Sequence, residues 1–110
     1  MQIAIRRTDG LSILDVSGDV DMANSSQLRK SLLHEVKELR TARVLLNLSA
    51  VRYIDSSGIA SLVEGLKASR DSGSRLSLCN LNQTVREVMQ LSRLVKIFEI
   101  FDTEELALAE

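Results

Sequence analysis

Four consecutive residues, Asp55-Ser56-Ser57-Gly58, set an acid, two hydroxyls and a glycine between an apolar run ending at Ile54 and another beginning at Ile59. Such a corner can cap a helix, attack a substrate or accept a phosphate. A nucleophilic serine needs a general base, and the strand-to-helix elbow that presents one in many hydrolases reads Gly-x-Ser-x-Gly. Neither Ser56 nor Ser57 has a glycine two residues before it, and the one histidine, His34, lies elsewhere with nothing to orient it. The corner does not read as a hydrolase.

Other chemistry is equally short of parts. Asp19 and Asp21 stand two apart in an extended segment, without the further oxygen ligands that a calcium site takes. One histidine and one cysteine, Cys79, make neither a zinc site nor an internal disulfide, and Cys79 reads as an inert strand thiol. The five glycines are isolated and no Gly-x-x-x-x-Gly-Lys run appears, so no phosphate-cradling loop is present. The sequence calls for no metal and no cofactor. The plain alternative is that Asp55, Ser56 or Ser57 caps the helix that follows, with Ser57, one residue deeper, placed to cap or pack at its start.

The elements that hold this corner follow from periodicity. Residues 2–7 and 11–18 are β-rich runs joined at Thr8-Asp9-Gly10 as a hairpin. Leu28, Leu32, Val36 and Leu39 recur at helical spacing after a serine cap at Ser25 or Ser26, with Arg29, Lys30, Glu35 and Lys37 between them. Val44, Leu46 and Leu48 alternate with Leu45, Asn47 and Ser49 as a strand, and Ile59, Leu62, Val63 and Leu66 then mark a helix closed at Asp71-Ser72-Gly73. A strand over 75–79, a helix capped by Asn82, a strand over 97–101 and a helix capped by Asp102 or Thr103 complete the order. Strands alternating with helices predict an α/β domain: a mixed, mostly parallel sheet of about five strands with the first added antiparallel at an edge. Asp15, Asn47, Ser77 and Glu99 fall at the off positions of these strands. Sheets buried on both faces read as continuous apolar runs, so the helices are expected mainly on one face.

The 110 residues suffice for one domain, and 14 Lys plus Arg against 15 Asp plus Glu give a net charge of −1. The cations are scattered, which argues against nucleic acid, whose phosphates need a clustered basic surface. No apolar run is long enough to span a membrane and no signal segment is evident, so a cytoplasmic location is expected.

The segment YIDSSGIASLVEGLKASR resembles the core motif of STAS domains, in particular bacterial anti-sigma factor antagonists, and the likeness extends over nearly all of the chain. Ser17-Gly18-Asp19-Val20-Asp21 is similar to that family's other signature, a Gly-acid-apolar-Asp turn at the end of the second strand, and Asn82 to Phe98 is similar to its third-helix and final-strand region. The resemblance implies a binding module without enzyme activity that regulates transcription by partner switching. The serine after the aspartate, Ser56 here, would be phosphorylated by a partner that is both serine kinase and anti-sigma factor, and a PP2C-type phosphatase would reverse it. Unmodified protein would hold the partner; phosphorylated protein would release it. Asp19, Asp21, Asp55 and Ser57 would line the docking surface, with Gly58 admitting the partner's backbone. Unphosphorylated relatives, which bind a lipid-transporter ATPase or act as scaffolds of stress complexes, are the other branch.

Overall fold

Leu14 and Val16, then Val44, Leu46 and Leu48, then Leu76 and Leu78 point to one side of a five-stranded sheet, where the three longer helices cover them. The computed structural model describes all residues, Met1–Glu110. Strand β1 (Gln2–Thr8) turns at Asp9-Gly10 into β2 (Leu11–Val20), and helix α1 (Ser25–Leu33) leads to β3 (Arg43–Ile54). Helix α2 (Ser56–Ser72), β4 (Arg75–Cys79), α3 (Gln83–Leu91), β5 (Glu99–Phe101) and α4 (Glu104–Leu108) follow. The strand order is β1-β2-β3-β4-β5, antiparallel between β1 and β2 and parallel throughout the rest. This is the mixed sheet that the periodicity predicts.

The off positions form the other face. Ile13, Leu45, Cys79 and Ala107 make a small apolar cluster under α4. Around it Arg6 bridges Asp15 and Glu104, Asn47 donates to Glu104 at 3.0 Å, and Arg75 and Ser77 hold Glu99. One short helix suffices because charged pairs, which need no apolar cover, occupy most of that surface. Burial pushes the Cys79 thiol up to about 11, with Glu104 and Asp15 adding to the shift. Since the thiolate is the reactive form, native protein at pH 8 should resist thiol-labelling reagents that react fully once it is unfolded. Rapid labelling of native protein would contradict this packing.

Four expectations are corrected. The serine cap of α1 is replaced by Asn24, whose Oδ1 turns back to accept from the Asp21 N–H at 3.0 Å. Glu35 is not on the solvated side of that helix: three residues after Leu32, it faces inward and is fully buried, accepting from Arg7 at 2.6 Å. After Leu33 the helix widens to a π-helical turn over His34–Glu38, with the Leu39 N–H bonding the His34 carbonyl five residues back. The extra residue per turn throws Leu39 off the apolar stripe, leaving it 48% exposed. The last strand is also shorter than 97–101. The Ile97 and Phe98 N–H groups both bond the Leu94 carbonyl, so only Glu99–Phe101 pairs with β4.

Candidate functional site

Strands β2 and β3 run side by side to their carboxyl ends, where Val20 pairs with Ile54 and the Asp55 N–H donates to the Val20 carbonyl at 3.1 Å. The register of β2 against β3 shifts at Gly18/Asp19, where Gly18 has φ +90°, a backbone shape that other residues rarely adopt. After this bulge Asp19 and Val20 pair with Tyr53 and Ile54, and the chain leaves the sheet at Asp21. Helix α2 begins one residue after Asp55, and the site is the corner where these segments meet.

Asp55 is the organising residue. Its backbone is extended, and its Oδ1 accepts from the Ser57 and Gly58 N–H groups at 2.9 and 3.1 Å, capping α2. Its Oδ2 accepts from the Met22 N–H at 3.2 Å, tying the loop after β2 to the same carboxylate. The capping role expected of Ser57 therefore belongs to Asp55. Only a carboxylate at the position before the helix has two oxygens to serve both segments. Ser57 is half-buried, and its carbonyl accepts from Ser61 Oγ at 3.2 Å, a hydroxyl that also donates to the Ser25 carbonyl of α1 at 2.8 Å. Asp55→Ala should cost about 1–2 kcal/mol, the upper part of the range for loss of a helix cap, because the Met22 N–H loses its acceptor as well. Ser57→Ala should stay within about 0.5 kcal/mol. Denaturant melts of the two variants check this ranking, and the reverse order would refute the capping assignment.

Ser56 is the first residue of α2 and is exposed, and none of the hydrogen bonds that build the corner uses its hydroxyl. Gly58 has another role than the one expected. It is buried, and a Cβ there would lie 2.6 Å from Ile54 Cγ1 and 2.8 Å from Val20 Cγ1. The glycine lets α2 sit on the strand ends of its own chain; it is not a surface for a partner's backbone.

The acidic residues come together but are not free. Asp19 forms an ion pair with Arg52 at 3.3 Å, which offsets one of the three carboxylates. Asp21 accepts from the Ala23 N–H through Oδ1 and from the Asn24 and Ser25 N–H groups through its carbonyl. Asn24 closes the loop by also donating to the Asp19 carbonyl at 2.9 Å. Sequence reasoning missed Asn24, Arg52 and Met22. The spacing Asp21-x-x-Asn24 was the available signal for the first, since such side chains bond nearby backbone in turns.

The two surface depressions, of about 400 and 360 Å³, lie between α1 and α2 and beside the β1–β2 turn, and neither is lined by Asp55, Ser56 or Met22. No three His, Cys, Asp or Glu side chains are grouped to hold a metal ion. No helix is long and apolar enough to cross a membrane. The corner thus carries an exposed Ser56 hydroxyl on a hydrogen-bonded frame that lines neither depression.

Known proteins are similar to this chain in sequence and fold. The anti-sigma F factor antagonist of Paenibacillus polymyxa is 27% identical over 110 residues, covering 100% of this chain and 94% of that protein. The crystal structure of a Thermotoga maritima protein matches with a TM-score of 0.90 at 27% identity, over 97% of this chain and 92% of the other. The anti-sigma factor antagonist SpoIIAA of Bacillus has the same fold, with a TM-score of 0.76 for both its unphosphorylated and phosphorylated forms, at 20% and 21% identity. These matches cover 98% of this chain in each case, and 96% and 97% of the SpoIIAA chains. The STAS domain family model matches residues 2–107, and with this fold beneath that match the chain belongs to the STAS domain family.

Proposed function

We propose that this chain is an anti-sigma factor antagonist, a binding module whose hold on a partner is switched by reversible phosphorylation of Ser56. The partner would be a serine kinase that also acts as the anti-sigma factor, and a PP2C-type phosphatase would reset the switch. The observation that carries this reading is the exposed Ser56 hydroxyl at the first position of a helix already capped by Asp55. The relation to the Paenibacillus polymyxa antagonist supports the class of partner.

The corner suggests how a phosphate would act. Two N–H groups of the first turn are taken by the Asp55 carboxylate, so a phosphate on Ser56 is not drawn into the cap. It adds about −1.5 to −2 charge beside an existing carboxylate. The positive end of the α2 dipole offsets part of that cost, so the domain stays folded and the charge faces outward. The common fold of SpoIIAA in its two forms is consistent with a switch that alters the surface and leaves the backbone in place. A partner that packs closely on the unmodified corner must then desolvate the phosphate or release it.

The test is incubation with ATP and the purified serine kinases encoded beside this chain's gene, followed by mass spectrometry and a binding titration of each form. Phosphate is expected on Ser56 alone, with Ser56→Ala unmodified and still bound, and with Ser56→Asp weakened but less than the phosphorylated protein. Phosphate elsewhere, or equal affinity for both forms, overturns the proposal. Capture of a transporter ATPase without any modification of Ser56 would place the chain in the other branch of the family.

A further inference from the structure

Met22 is 81% exposed, yet it sits in a turn held by side-chain hydrogen bonds. Its N–H donates to Asp55 Oδ2, and the residues on either side are held by the Ala23 N–H on Asp21 Oδ1, the Asp21 N–H on Asn24 Oδ1, and the Asn24 side chain on the Asp19 carbonyl. Single exposed apolar side chains are ordinary and by themselves mean nothing. An exposed methionine on a mobile loop would be one of these. Here four hydrogen bonds hold the turn that carries a flexible, polarisable side chain, and the turn is latched to the carboxylate that immediately precedes Ser56. The flanking residues contrast with it: Asp19 and Arg52 form an exposed ion pair, and Asp21 is polar. Met22 is more exposed than Tyr53, the other large apolar side chain at these strand ends, which is 47% exposed beside Asp19 and Arg52. An exposed apolar side chain with a polar rim is the pattern of an interface anchor, where a few residues carry most of the binding energy and the rim excludes water.

We propose that Met22 is the apolar anchor of the partner interface, and that the protein surface receiving Ser56 carries an apolar pocket for the Met22 side chain. This rests on the function proposed above and adds the residue that gives the unmodified complex its affinity. Methionine suits the role because its unbranched thioether adapts to irregular apolar pockets. It also accounts for how a phosphate at Ser56 would act on affinity. Asp55 fixes both groups, so a partner that seats Met22 brings its own surface over Ser56, and a phosphate there holds that surface away from the anchor.

Leu91 provides the control, since at 86% exposed it is as open as Met22 but lies at the end of α3, outside the hydrogen-bonded corner. The kinase found to phosphorylate Ser56 serves as the probe, with affinity measured by titration calorimetry on full-length unmodified protein. Met22→Ala is expected to lose at least about tenfold in affinity, the loss typical of a hot-spot truncation. Its thermal midpoint should be unchanged. Met22→Leu should bind within about threefold of the parent, because the apolar volume is retained. Leu91→Ala should bind as the parent does, and in the phosphorylated protein Met22→Ala should add little further loss. Wild-type affinity for Met22→Ala, or an equal loss for Leu91→Ala, overturns the anchor while leaving the phosphorylation switch intact. If no kinase modifies Ser56, the switch falls and the anchor falls with it.

Discussion

Arg7→Ala is expected to destabilise the fold by about 3 kcal/mol at neutral pH, because it leaves the Glu35 carboxylate buried without its cation. Glu35 is fully buried, whereas the Arg7 side chain is 50% exposed, which places the loss at the lower end of the range for a broken buried pair. Burial alone would raise the Glu35 carboxyl above its ordinary value, but hydrogen bonds from Arg7 and Ser12 outweigh it and hold the carboxyl low. In the parent protein Glu35 therefore contributes stability at pH values above its unfolded value, and that contribution is lost as pH falls through the lowered folded value. Without Arg7 the direction reverses. A buried carboxyl with a raised folded value is tolerated when protonated and penalised as pH rises through that value. The stability gap between parent and variant should thus be wide at pH 7 and narrower at pH 4, measured by urea melts at each pH. Adding Glu35→Gln to Arg7→Ala should recover part of the pH 7 loss by removing the charge. A gap under about 0.5 kcal/mol, the usual scatter of surface changes, or one that does not change with pH, would show that the pair is not what holds this end of the sheet to the helix.

The buried pair also marks the limit of what can be read from the chain. Glu35 follows Leu32 by three residues and precedes Val36, so its inward position is implied by helical spacing, but a charged residue reads as solvent-facing until its partner is known. That partner, Arg7, is 28 residues away on an edge strand. The strands themselves were legible because alternation has a fixed period: Val44, Leu46 and Leu48 face the core, while Asn47 and Ser77 face the polar side. Asn82 was legible as a cap, and its Oδ1 does accept from the Val85 N–H at 2.8 Å. The corner at Asp55 was recognisable as a strand-to-helix junction, yet not the division of labour within it. Which of three neighbouring polar residues caps depends on where the helix begins, and a shift of one residue moves the role from Ser57 to Asp55. Met22 had no signal of its own, since a single loop residue belongs to no periodic pattern and the carboxylate that holds its N–H lies 33 residues on, at the end of the neighbouring strand.

Gly58→Ala is expected to cost about 2 kcal/mol, within the range for overpacking a filled core. Alanine is the better helix former by up to about 1 kcal/mol, so on propensity alone the change would stabilise α2. Geometry decides against it. The new methyl would lie 2.6 Å from Ile54 Cγ1, 3.1 Å from Ile54 Cδ1 and 2.8 Å from Val20 Cγ1, closer than carbon atoms approach without something moving. Ile54 and Val20 are both β-branched and fully buried, which leaves them little freedom to rotate away. The start of α2 must then lift from the strand ends, stretching the hydrogen bonds from Ser57 and Gly58 to Asp55 and displacing Ser56 from the exposed first position of α2 at which the proposed kinase would meet it. Two measurements follow. Denaturant melts should show the loss, and Ile54→Ala with Gly58→Ala should cost less than the two single changes added together, by about 1 kcal/mol or more, since the cavity of one accepts the methyl of the other. Phosphorylation of Ser56 should be slowed in Gly58→Ala even at temperatures where the variant remains folded. Strict additivity, or a stabilised Gly58→Ala, would mean that the close contact relaxes at no cost and that Gly58 is retained for a reason outside the packing of this corner.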